Sequence, residues 1–216
     1  MLRPTAYQKL LSWLYPVRIK RLSSKIHPIL EIFLFRDEWQ LATEDAIYSD
    51  GSRYRPLVEA FRIIKTSLSN QSKIIVLGSG LGSAISVLKK MGINPSVLLV
   101  DNDEEIIRIN KEWRWKDCAN YEFFFEDAFE FIANANFQFD ILVIDVFKDR
   151  IVPDFVTKKK FLLTCKQKTK KQGKIILNYI LNNHEEWKLL EKNFSEIFPQ
   201  NQIISFGINK IFIATV

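Results

Sequence analysis

Histidine, cysteine and glycine are all scarce in this chain. Of 216 residues, two are histidine (His27 and His184) and two are cysteine (Cys118 and Cys165). The cysteines stand far apart, with no CxxC and no histidine beside them. That argues against a histidine-centred metal site, a zinc site, a histidine-based catalytic triad and a disulfide. Apolar runs are short, and none approaches the roughly 18 residues of a membrane span. The opening segment up to Pro16 lacks the charge–apolar–small-residue order of a secretory signal, so the cytoplasm is the expected compartment. Only seven glycines occur, yet three of them fall at 78, 80 and 82. No Lys-Ser or Lys-Thr follows those three, which excludes a P-loop.

What the chain does have is apolar bulk. Hydrophobic residues make up 47%, with 17 phenylalanines, enough to fill the core of one α/β domain with a small appendage. The formal charge is +6. Lys158, Lys159, Lys160, Lys166, Lys168, Lys170, Lys171 and Lys174 crowd into one segment. No aromatic residues alternate with them as base stacking would require, so a solvated helix face is the expectation and nucleic acid is not an expected partner. Ala6 to Tyr15 has helical spacing closed by Pro16, and a basic stretch follows (Arg18, Lys20, Arg21, Lys25). This cationic, partly apolar segment is expected to pack on its own domain rather than on a membrane surface.

Ile29–Phe35 and Trp39–Thr43 read as a β-hairpin, with Ala46–Ser49 extending it, and Pro56–Leu68 as a helix. An alternation of strands and helices then begins. Strands are expected at Lys73–Leu77, Val97–Asp101, Tyr121–Phe125, Phe139–Asp145 and Lys174–Leu181. Helices are expected at Gly82–Met91, Glu104–Trp115, Ala128–Ala133 and Phe155–Lys171. The strand cores are apolar throughout, as a parallel sheet covered on both faces requires. Asp103 is an expected helix N-cap, as is Asn182 or Asn183. Gln202–Phe206 and Lys210–Thr215 lie too close together for a parallel crossover, so they must be antiparallel neighbours. The expected fold is α/β: a Rossmann-like seven-stranded sheet with helices on both faces and a C-terminal antiparallel hairpin, preceded by a helix and β-hairpin appendage. The boundary is drawn between 1–53 and 54–216.

The first strand, the turn Gly78-Ser-Gly80-Leu-Gly82 and Asp101 at the tip of the second strand form a nucleotide-type constellation. Glycines admit a ligand close to the main chain, helix-start amides favour an anion, and the acid can accept from both ribose hydroxyls. The third glycine comes one place too early for GxGxxG, which places NAD behind ligands of the S-adenosylmethionine (AdoMet) type. Asp145, at the carboxyl end of the fourth strand, stands where open α/β sheets bind ligands, and there it can orient or deprotonate an amine.

The glycine turn and closing hairpin resemble the class I AdoMet-dependent methyltransferase fold. Together with Glu126-Asp127-Ala128, Asp145-Val-Phe-Lys148-Asp149 and Trp39-Gln40 leading to Tyr48, they look like the polyamine aminopropyltransferases (spermidine synthases) and their methyltransferase relatives. The resemblance spans roughly 29–216. It implies a transferase with Gly78, Gly80, Gly82 and Asp101 on the nucleoside, Asp127 and the Ala128 amide on adenine, and Gln40 lent by the appendage. It also implies Tyr48 and Asp149 on the substrate and Asp145 at the reacting centre. AdoMet, or decarboxylated AdoMet as co-substrate, is the implied ligand, with a small-molecule acceptor; a homodimer stays open. Two departures favour intact AdoMet and methyl transfer. Leu81 stands where aminopropyltransferases carry an aspartate, and Lys148 lies in the loop that meets the polyamine. Aminopropyl transfer to a diamine is the alternative, and a non-catalytic nucleoside-binding protein a further one.

Overall fold

The computed structural model describes residues 3–216; Met1 and Leu2, the start of the expected appendage, lie outside it. After a short helix α1 (Ala6–Leu11) come four antiparallel strands, β1 (Val17–Leu22), β2 (Leu30–Phe35), β3 (Glu38–Ala42) and β4 (Ile47–Asp50), paired in sequence order. The hairpin expected from 29–43 is β2–β3. The first strand was not expected, because its cations concealed it. Arg18 and Lys20 alternate outward while Val17, Ile19 and Leu22 turn partly inward.

Helix α2 (Arg55–Ile63) leads to β5 (Lys73–Leu77), α3 (Ser83–Lys90), β6 (Ser96–Asp101), α4 (Glu104–Ile109), β7 (Tyr121–Phe125), α5 (Ala128–Asn134) and β8 (Phe139–Ile144). The chain closes with α6 (Lys159–Gln167), β9 (Thr169–Ile180), α7 (His184–Ile197), β10 (Asn201–Phe206) and β11 (Asn209–Thr215). The large sheet has the order β10-β11-β9-β8-β5-β6-β7. Its strands are parallel except β11, which runs antiparallel to both neighbours. This is the seven-stranded sheet with a terminal antiparallel hairpin that the sequence predicts.

Successive side chains of a strand face opposite ways, so each central strand feeds two cores. Ile75 and Leu77 join the layer with α5, α6 and α7, while Ile74 and Val76 join the layer with α2 and α3. A third cluster, Leu30, Ile32, Leu41, Leu81, Ile106 and Ile109, binds the small sheet to the glycine turn and α4. Asp103 caps α4 and Asn183 caps α7, each accepting from two backbone amides.

Four helices are clearly shorter than expected: α1 stops at Leu11, α2 at Ile63 and α4 at Ile109, and α6 spans only Lys159–Gln167. The segment after Ile109 widens into a π turn over 110–114, which carries the Trp115 indole onto the Leu81 carbonyl at 3.1 Å. The lysine segment is not one helix face. Lys159, Lys160 and Lys166 lie on α6, whereas Lys170, Lys171 and Lys174 lie on β9, which starts early because Thr169 pairs with Phe139. Several of these lysines have local partners: Lys159 with Glu196, Lys166 with the Ile197 carbonyl, Lys170 with Asp140. The segment is therefore knitted into the fold.

Candidate active site

The carboxyl ends of β5, β6 and β8 open into a cleft of about 480 Å³ roofed by the small sheet, a volume suited to a nucleoside-sized ligand. Gly78, Gly80, Asp101, Asp127, Ala128, Asp145, Tyr48 and Asp149 all line it. Eight of the ten expected site residues thus meet at one place; Gln40 and Gly82 do not. Gln40 donates to Asp50 Oδ1 at 2.8 Å, where Arg53 also binds, so it braces the roof. Gly82 precedes α3 with its Cα against the Trp115 indole.

Gly78 brings the tips of β5 and β8 together. Its φ is +91°, and a Cβ there would overlap the Asp145 carbonyl. The turn it starts is directed inward. Ser79 donates N–H to Asp101 at 2.9 Å, Leu81 donates to Ser49 Oγ at 2.6 Å, and Gly82 donates to the Ser79 carbonyl at 2.9 Å. Three amides of the turn are therefore already taken by protein acceptors, whereas the helix-start amides on which the anion expectation rested belong to α3, beyond Gly82. A phosphate gains nothing from those three donors, whereas a sulfonium nucleoside has no phosphate to place.

Leu81 corrects a second expectation. Its side chain is 2% exposed and packs among Leu30, Ile32 and Ile106. It faces the small sheet, so its identity does not set the charge that a ligand meets.

Asp101 accepts from the Ser79 amide and hydroxyl through one oxygen and from the Asp103 amide through the other. Burial nonetheless raises its pKa against those bonds. Asp127 caps α5 through Oδ1, which accepts from Phe129 N and Glu130 N. Tyr48 ties the roof to the loop after β8: its hydroxyl accepts from the Asp149 amide and lies 3.5 Å from the Phe147 carbonyl. Burial, reinforced by nearby acids, keeps that phenol protonated. The His27 ring packs edge-on against Tyr48, and its Nδ1 lies 3.8 Å from Asp149.

The floor is Asp145. Its Oδ1 accepts from Asn178 Nδ2 at 2.8 Å and from the Tyr54 hydroxyl at 3.2 Å. Asn178 is oriented in turn by Asn209, which donates to its Oδ1 at 2.9 Å. Burial pushes the Asp145 pKa up to about 6 even though both donors favour the carboxylate. Tyr54 is held well above the usual phenol range by burial and by the Asp145 charge, so it acts as a fixed donor. Sequence reasoning missed Tyr54, Asn178 and Asn209. Asn178 did leave a signal: it is a lone amide inside the apolar run of β9 and is 1% exposed, which demands a partner.

The fold is class I methyltransferase-like, with a cleft at the carboxyl ends of its parallel strands. The family model for the spermine/spermidine synthase domain matches residues 61–210, and the chain belongs to that family. A polyamine aminopropyltransferase of Clostridium botulinum is 21% identical over 154 residues, covering 68% of this chain and 52% of that protein. The chain thus spans about half the length of the curated relatives it matches. Among solved structures, spermidine synthase from Thermotoga maritima superposes with a TM-score of 0.70 at 16% identity, over 92% of this chain and 72% of that one. Human methyltransferase-like protein 13 in complex with SAH superposes with a TM-score of 0.64 at 17% identity, over 74% of this chain and 81% of that one.

Proposed function

We propose that the protein is a transferase that moves an aminopropyl group from decarboxylated AdoMet to an amine acceptor. The observation that carries this reading is the acidity of the cleft. Asp45, Asp101, Asp127, Asp145 and Asp149 line it against Lys148 and Arg150, a balance that favours a cationic sulfonium nucleoside and a cationic amine. Asp145, locked through one oxygen, keeps the other for the acceptor nitrogen. The nitrogen lone pair forms the new N–C bond as the C–S bond breaks. The bonding pair leaves on sulfur as a neutral thioether, and Asp145 or water takes the surplus ammonium proton. Asp101 would hold the ribose, and Asp127 with the Ala128 amide the adenine.

One feature favours methyl transfer from intact AdoMet instead. Among the described residues, Lys148 and Arg150 form no ion pair, and either is suited to meet the carboxylate that decarboxylated AdoMet lacks. Calorimetry with the two nucleosides, followed by product analysis with a diamine pool, separates the readings. Tighter binding of the decarboxylated form and release of methylthioadenosine support aminopropyl transfer. Preference for AdoMet with release of S-adenosylhomocysteine supports the other.

Two further results are expected. Asp101→Ala should weaken nucleoside binding roughly tenfold to a hundredfold, and the loss should shrink with a nucleoside lacking both ribose hydroxyls. Equal losses for both ligands would remove Asp101 from the ribose. Tyr54→Phe deletes a donor to the ionised Asp145 and so raises its pKa further. The acid limb of kcat/KM, expected near pH 6, should move upward by roughly half a unit to one unit. An unmoved limb would mean that a group other than Asp145 titrates.

A further inference from the structure

The segment before the small sheet is ordered, yet among its described residues only Ser12 is fully buried. α1 is six residues long and buries none of them, and a helix that short is not stable alone in water. It is held by a capping box between Thr5 and Gln8 and by the Arg36 amide, which donates to the Ser12 carbonyl at 2.8 Å. This fixed segment turns its large apolar side chains outward. Tyr7, Leu10, Trp13, Leu14 and Tyr15 are 50–78% exposed, a density of exposed apolar surface that a soluble face rarely carries without a use.

Charge selects the partner. The first thirty residues contain six Lys or Arg and no Asp or Glu, so the remaining residues, with 25 of each sign, are neutral overall. Lys9 on α1 and Arg18 at the start of β1 lie beside the apolar patch, whereas Lys25 pairs with Glu104 at 3.3 Å beyond the other end of β1, so part of this excess flanks the patch. Glu31 does not cancel it, because one carboxylate is shared by Arg18 at 2.8 Å and Arg21 at 3.8 Å. Trp and Tyr beside Lys and Arg are the side chains that favour the polar boundary of a bilayer.

Position completes the argument. Val17 pairs with Leu34, next to the β2–β3 turn, whereas Leu22 pairs with Leu30 at the opposite end of the strands. Ile26, His27 and Tyr48, which line the cleft, lie at that opposite end. The apolar patch and the cleft therefore occupy different ends of the small sheet, and both can be engaged together.

We propose that residues 7–21 form a docking surface for an anionic phospholipid membrane, with Trp13, Leu14 and Tyr15 entering the headgroup boundary and Lys9 and Arg18 meeting lipid phosphates. The test is co-sedimentation with vesicles of phosphatidylcholine alone or mixed with phosphatidylglycerol, read alongside tryptophan emission. Binding to the mixed vesicles alone is expected, with a blue-shifted emission and loss of binding at high salt. Lys9→Glu should weaken binding by about fivefold or more. A double variant, Trp13→Ser with Leu14→Ser, should weaken it at least tenfold while nucleoside affinity and turnover in solution stay unchanged. No sedimentation with mixed vesicles at low salt overturns the proposal. So does sedimentation equilibrium showing a dimer that the double variant dissociates, in a protein that binds no vesicles, because a second copy then covers this face.

Discussion

Asp145→Asn is expected to abolish most of the proposed transfer activity while making the ligand-free protein more stable. The two effects have one cause. Asn178 and Tyr54 both donate to Oδ1, and an asparagine carbonyl can receive the same bonds, so the fold has no reason to change. What is lost is the charge and basicity of the second oxygen, worth roughly a hundredfold to ten-thousandfold in rate for a group that handles the acceptor proton. What is gained follows from the carboxyl's pKa, raised by burial to about 6 in the folded protein against about 3.9 in the unfolded chain. The folded state therefore binds the proton more tightly. Its contribution to stability is complete below the unfolded value and disappears as the pH rises through about 6. Above that pH the ionised side chain costs on the order of 1–3 kcal/mol, which the amide avoids. The variant should melt several degrees higher than the parent at pH 7.5 and converge with it towards pH 4. Activity lost without a stability gain at pH 7.5 would mean that Asp145 is not strained in the resting protein. A stability gain with activity intact would remove it from the reaction.

The same residue shows what was legible in the sequence. Its place at a strand tip followed from the apolar run before it, because a buried parallel strand ends where its polar residues begin. The parallel strands of the large sheet and its terminal hairpin were legible for a similar reason: a short link forces antiparallel pairing, and helical spacing marks crossovers. Partners brought together by folding were not legible. Tyr54 lies 91 positions before Asp145 and Asn178 lies 33 after it, and no local pattern joins them. The direction of a side chain within a turn was equally hidden. Leu81 follows two glycines in the turn after β5, and only the packing of the small sheet on α4 shows that it faces Ile106 and Leu30 instead of the cleft. Without that residue in the cleft, the charge argument for intact AdoMet rests on Lys148 and Arg150 alone. β1 was hidden because alternating lysines and arginines on an edge strand resemble a charged linker, although charge on edges is a common guard against unwanted strand pairing.

Gly78→Ala is expected to be the most damaging single-methyl change in the chain. Two costs coincide there. At φ +91° an L side chain is strained by about 1–3 kcal/mol, and the added Cβ also meets the Asp145 carbonyl and lies 3.2 Å from the Val146 amide. Neither neighbour can yield cheaply. Gly78 N–H is bonded to the Val100 carbonyl and Asp145 N–H to the Leu77 carbonyl, each at 2.8 Å, so the ends of β5, β6 and β8 are tied into one rigid edge. Overpacking of this kind adds another 1–3 kcal/mol, and the sum corresponds to a fall in Tm of about 10 °C for a protein of this size. Gly207→Ala separates the two costs. Gly207 also has a positive φ, of +56°, but an added Cβ there has no atom within 4 Å, so only the backbone term applies and the fall should be a few degrees. The two variants must also differ in binding. Displacing the Gly78–Asp145 crossing moves the floor of the cleft, and nucleoside affinity should drop at least tenfold even below the melting transition. Gly207→Ala should bind as the parent does. If both variants melt alike and both retain nucleoside affinity, the strand tips are not held together as these contacts require, and the position of Asp145 must depend on the Asn178–Asn209 amide chain instead.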